Sequence, residues 1–185
     1  MNDRILTLFS EVLSYPDLNV VSKSEALYKE LCLIAPESSD VIFPFVKAIQ
    51  TMNLTELEEL YTITFDIQAP CSLDLGYVLF GEDYKRGEFL VNVSAMQKEF
   101  NPHLKSSELA DHLPNVLLLH SKMPDQGIKK DFTQRIIMPG IEKMLQSFKE
   151  DLEKSNVYAR VLFCLKKYLS INYKMDSSIL EVSHV

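Results

Sequence analysis

Two carboxylates and one imidazole are the side chains with most capacity for chemistry in this sequence: Asp66, and the adjacent pair Asp111 and His112. Brought together, such groups can exchange protons as general acid and base. They can equally rim a binding surface, where carboxylates attract basic residues and an imidazole adds a hydrogen bond or a pH response. Nothing else favours catalysis. There is no activated nucleophile, no glycine-rich phosphate loop and no metal-ligand spacing. Cys32, Cys71 and Cys164 are isolated and odd in number, and His103, His120 and His184 recur at no ligand interval. The expectation is therefore a protein that is not an enzyme and holds no cofactor or metal. A plainer reading also exists, with Asp111 as a helix N-cap and His112 partly buried beside it. Asp66 follows Phe65 at the predicted end of a helix, where the macrodipole favours a cation. That placement suggests a partner such as Arg86 or a basic residue of another chain, against simple exposure to solvent.

The elements that must position these groups read as helices. Ile5, Leu8, Phe9, Val12 and Leu13 form a one-sided stripe that Tyr15-Pro16-Asp17 ends. Further helices are predicted over 24–34 and about 40–52, the latter with Ile42, Phe45, Val46 and Ile49 on one face. Thr55-x-x-Glu58 reads as a capping box opening a helix with Leu57, Leu60, Tyr61 and Thr64. Gln68-Ala69-Pro70 breaks it, and Ser72 is placed to cap a helix over 73–80 that Gly81 stops. Residues 81–87 read as a charged turn, followed by a helix with Phe89, Leu90, Val93, Gln97 and Phe100. Asp111 is placed to cap a helix with Pro114 in its first turn. Residues 128–138 are expected to be helical, with Pro139 kinking that helix or starting a new one to about Lys154. A last helix covers roughly 156–171, with Tyr158, Val161, Leu162, Leu165 and Leu169 inward. His120 reads as a satisfied core histidine.

The chain has 185 residues, 46% hydrophobic and 24% charged, enough to bury a core in a single domain. Only 5 glycines and no strand alternation point to an all-α bundle of roughly eight to ten helices over residues 1–175, with a flexible tail at 176–185. The net charge of −7 argues against nucleic acid as a partner. No segment is long and apolar enough to span a membrane, residues 1–13 lack the run of a signal peptide, and the scattered thiols suit a reducing compartment.

Three motifs occur in a fixed order: Tyr61-x-x-x-Phe65-Asp66 followed by Cys71-Ser72-Leu73, then Phe80 with Gly81-Glu82-Asp83-Tyr84-Lys85-Arg86-Gly87, then Glu108 to Pro114 ending in Asp111-His112-Leu113-Pro114. Leu13-Ser14-Tyr15-Pro16-Asp17 and Ser155-Asn156-Val157-Tyr158-Ala159 flank them. In order and spacing this resembles the molybdenum-enzyme assembly chaperones, the delta-subunit family of respiratory nitrate reductases and their relatives. Two departures mark a distant branch. Leu117-Leu118-Leu119 stands where the family usually has Leu-Glu-Phe, and Gln68-Ala69 replaces basic residues.

The resemblance implies a cytoplasmic chaperone, a monomer or weak homodimer. Its partner would be the N-terminal peptide of the catalytic subunit of a molybdopterin-dependent oxidoreductase, held until the cofactor is inserted. The client-binding residues it implies are Tyr61, Phe65, Asp66, Phe80, Arg86, Asp111, His112, Leu113, Pro114 and Leu117. Tyr61, Phe65, Phe80 and Leu117 would line a groove for an amphipathic helix or, on the plainer reading, belong to the core. Asp66, Asp111 and His112 are expected to lie together at its rim. Arg86 would order the site by pairing with Asp66 or Asp111. The alternatives are a small helical adaptor or ligand-binding regulator, and an acid–base enzyme using Asp66, Asp111 and His112.

Overall fold

The computed structural model describes residues 3–67, 71–104, 106–148 and 156–173. The Gln68-Ala69-Pro70 break, the approach to Lys154 and the tail at 176–185 lie outside the described residues. Within them the chain forms ten α-helices and one π-helical segment, an all-α fold as the sequence indicates. The predicted stripes become buried faces. In α1 (Asp3–Leu13) Ile5, Phe9, Val12 and Leu13 are fully buried, and in α3 (Pro36–Ile49) Ile42, Phe45 and Ile49 are. Helix α2 (Val20–Ile34) lies between them in sequence and packs on both. Helix α10 (Val157–Asn172) packs on α3 and α1, with Tyr158, Val161, Leu162, Leu165 and Leu169 inward.

The middle of the bundle is α7 (Leu113–Lys122), which packs on α1 and on α6 (Tyr84–Phe100). Leu113, Val116, Leu117 and Leu119 have no exposure at all. Such all-round burial is possible because the helix is short and apolar on several faces. His120 is also enclosed there. Its Nε2 lies 2.9 Å from Thr133 Oγ1 and 3.3 Å from the Tyr173 hydroxyl, and burial pushes its pKa down to about 4.

Several local expectations change. The helix expected over 73–80 starts at Leu75, with Asp74 and not Ser72 at its N-cap. Helix α4 (Leu54–Phe65) is capped by Asn53, not by the Thr55 box: Asn53 Oδ1 accepts from Glu56 N–H at 3.1 Å, and Glu56 returns a carboxylate to Asn53 N–H at 2.8 Å. Asn caps at least as well as Thr, so the helix starts earlier. The charged 81–87 segment is only half a turn. Gly81 adopts φ 64°, the left-handed stop expected after α5 (Leu75–Phe80), but Asp83 then caps α6 through Lys85 N–H at 2.9 Å, so Tyr84 to Gly87 are helical. Finally, the chain runs from α8 (Gln126–Phe132) through the π-helical segment Thr133–Ile137 into α9 (Met138–Gln146), with Pro139 in the first turn of α9. Proline offers no N–H to the carbonyl one turn earlier, and a wider turn there takes up the mismatch.

Candidate functional site

The two motif segments meet through backbone. Leu75 N–H donates to Asp111 C=O at 3.0 Å and Leu113 N–H donates to Leu73 C=O at 2.8 Å, an isolated antiparallel bridge centred on Asp74 and His112. This bridge fixes the start of α5 against the start of α7.

Asp111 does not cap its own helix. The N-cap of α7 is His112, which makes no side-chain cap bond. The Asp111 carboxylate turns across the bridge, and its Oδ2 accepts from Gly76 N–H, in the first turn of α5, at 2.9 Å. The side chain is fully buried. Burial raises its pKa, and the Asp74 carboxylate raises it further, against the Gly76 hydrogen bond and the Arg86 charge. Glycine at 76 permits this approach: a Cβ there would lie 2.6 Å from the Asp111 oxygen and 3.0 Å from the Phe89 ring. With no exposed atom, the Asp111 side chain braces α5 against α7 from inside the fold. Asp66, Asp111 and His112 do not share one accessible surface for the same reason.

The hub of the site is Asp74. Its Oδ1 lies 3.1 Å from His112 Nδ1, an imidazole N–H donating to a carboxylate, and its Oδ2 lies 3.5 Å from Arg86 Nη2. The Arg86 guanidinium also covers the Tyr77 ring at 5.3 Å. Arg86 thus pairs with Asp74, where Asp66 or Asp111 was expected. The sequence reading passed over both Asp74 and Gly76; a glycine inside a six-residue helix was the available signal of a close approach.

Asp66 is the C-cap of α4 and is exposed. Its pKa is raised by partial burial first, then by Glu108 and Asp74, with His112 opposing. Tyr61, one turn back, is core: its hydroxyl donates to Leu13 C=O at 3.1 Å, and its ring meets Tyr15, Phe65 and Tyr158 at 5.4, 5.0 and 5.7 Å. Phe65 is 7% exposed. Phe80 is half-buried against Phe89. Leu113 and Leu117 lie wholly inside the bundle and Pro114 is buried, so the expected lining of a groove by Leu117 is corrected. Central helix α7 presents that side chain to the core.

Two clefts open on this region. The larger, about 1030 Å³, is bordered by Phe65, Asp66, Asp74, Tyr77, Phe80 and Arg86, with Lys143 entering from α9. The smaller, about 300 Å³, is bordered by Tyr15, Tyr61, Asp66, Glu108, His112 and Pro114. Asp66 stands in both. The structure therefore brings Tyr61, Phe65, Asp66 and His112 to one surface and leaves Asp111 behind it. Among the described residues no three His, Cys, Asp or Glu side chains gather closely enough to hold a metal. Cys71 borders the larger cleft, but burial pushes its thiol up to about 12, which leaves it unreactive. No helix among the described residues is long and apolar enough to cross a membrane.

These elements define a helical protein whose accessible polar groups border two open clefts. The fold matches a crystal structure from Archaeoglobus fulgidus, of a candidate redox enzyme maturation protein, with a TM-score of 0.66 over 92% of this chain and 94% of that one, at 22% identity. In sequence the chain is 26% identical over 131 residues to the nitrate reductase molybdenum cofactor assembly chaperone NarJ of Escherichia coli strain K12, and equally to that of Escherichia coli O157:H7. The match covers 67% of this chain and 56% of each relative, so the chain spans little more than half their length. No family model matches the chain. The similarity to the two NarJ proteins bears out the resemblance to the molybdenum-enzyme assembly chaperones.

Proposed function

We propose that this chain is an assembly chaperone for a molybdopterin-dependent oxidoreductase. It binds the N-terminal segment of that enzyme's catalytic subunit and keeps it accessible while the cofactor is inserted. It does so in the cytoplasm, before any membrane attachment or export, and is not itself a subunit of the mature enzyme. The similarity to NarJ carries the reading. The paired clefts at Asp66 support it, because an open surface with aromatic walls and charged rims suits an extended or helical peptide better than a small reacting molecule. Phe65, Tyr77 and Phe80 would take apolar side chains, and Asp66 would select basic ones.

The test is affinity purification of the full chain from its native host, followed by metal analysis of the captured enzyme with and without the chaperone gene. The catalytic subunit of a molybdopterin oxidoreductase should co-purify through its N-terminal segment, and its molybdenum content should fall when the gene is deleted. Unchanged molybdenum content and no captured oxidoreductase would refute the assignment.

A further inference from the structure

The proposed client surface is electrically lopsided. At one end Asp66 and Glu108 lie close enough for Glu108 to raise the Asp66 pKa, and among the described residues neither has a cationic partner in an ion pair. At the other end Lys143 donates to the Leu79 carbonyl at 3.1 Å, the C-terminal turn of α5, and among the described residues no carboxylate pairs with it. Arg86 stands nearby, held by a long 3.5 Å contact to Asp74 and by its stacking on the Tyr77 ring. Between the two ends lie Phe65, Tyr77 and Phe80. Asp66 belongs to both clefts, so the surface runs continuously from the acidic end to the basic one.

We infer that the segment this surface takes is bipolar: basic residues toward Asp66 and Glu108, bulky apolar residues over Phe65, Tyr77 and Phe80, and an acidic residue reaching Lys143 and Arg86. The inference rests on the reading of this surface as a peptide site and deepens it. Charge complementarity at separated points sets the register of a bound chain and discriminates against wrong ones more than it adds raw affinity. A purely basic amphipathic helix would satisfy one end and set its own cations against Lys143 and Arg86. That cost rejects the general run of basic amphipathic segments, which a chaperone serving one enzyme must leave alone.

The experiment needs no knowledge of the client. A library of random peptides displayed on phage is selected against the full chain, against Lys143→Glu and against Asp66→Lys. Both positions are exposed, and far-UV circular dichroism confirms that each variant folds. The wild-type chain should enrich peptides with basic and acidic residues separated by an apolar run. Lys143→Glu should lose the acidic residue from its selected set, and Asp66→Lys the basic one. A bipolar peptide, resynthesised, should bind Lys143→Glu about three- to tenfold more weakly in 50 mM salt than it binds wild type, and the gap should close in 500 mM salt. Enrichment of basic, apolar peptides without acids, unaffected by Lys143→Glu, would overturn the bipolar inference and leave the peptide site standing. No enrichment by any of the three proteins would remove the peptide site and the inference with it.

Discussion

Replacing Gly76 with alanine tests the cross-brace between the two motifs at its tightest point. An added Cβ would sit 2.6 Å from the Asp111 carboxylate oxygen, 3.0 Å from the Phe89 ring and 3.3 Å from Arg86 Cγ. The Phe89 ring is itself packed, and the carboxylate cannot retreat without losing its 2.9 Å bond to Gly76 N–H. Losing a hydrogen bond to a buried charged group costs about 1.5–3 kcal/mol, and overpacking adds about 1–3 kcal/mol. Alanine's better helix propensity returns about 1 kcal/mol. The net expectation is a loss of about 1.5–5 kcal/mol, or roughly 3–20 °C in Tm for a chain of this size. Urea unfolding followed by far-UV circular dichroism measures it. Gly87→Ala is the control: Gly87 lies within α6 with nothing near its Cβ position, so that change should be neutral or stabilising by up to about 1 kcal/mol. Equal stability of Gly76→Ala and wild type would refute the reasoning, because the Asp111–Gly76 contact would then contribute nothing.

Further outcomes follow from the same geometry. Because burial raises the Asp111 pKa, the folded chain takes up that proton at a higher pH than the unfolded chain, and the cost of burying the charge is greatest at neutral pH. Wild type should therefore gain stability relative to Asp111→Asn as pH falls from 7 toward 4, while peptide binding is the same for both; a pH-independent difference in urea midpoints would contradict this. His120 has the opposite sign. Its pKa is pushed from 6.5 down to about 4, so the unfolded chain binds a proton first, and stability is lost as pH falls through that window, by at most about 3 kcal/mol. In His120→Gln that part of the acid destabilisation should disappear from a pH series of thermal melts. Tyr61→Phe removes the hydroxyl from Leu13 C=O and should cost about 0.5–1.5 kcal/mol without changing the helical circular dichroism spectrum.

Sequence by itself determined the helical class and most of the inward faces, because a stripe at helical spacing leaves few other ways to bury Ile5, Phe9, Ile42, Phe45 or Leu162. It also determined the motif order, and with it the resemblance that the similarity to NarJ bears out. It marked Gly81 as a stop, since a left-handed residue ending a helix is most easily glycine. It could not say where a carboxylate points. Asp111 has the composition of a cap in any reading, but which helix it caps depends on a backbone bridge between segments far apart in the chain, and the structure gives it to α5. The same bridge makes Asp74 the partner of both His112 and Arg86, although nothing in its local sequence distinguishes it from other acidic residues. Leu117 shows the converse limit. An apolar residue reads alike whether it faces a groove or the core, and only the packing of α1 and α6 around α7 decides for the core. Local pattern fixes the period of a helix and which of its faces is apolar. The partner of a polar side chain and the side a buried face looks toward are properties of contacts between distant segments, and only the tertiary structure supplies those.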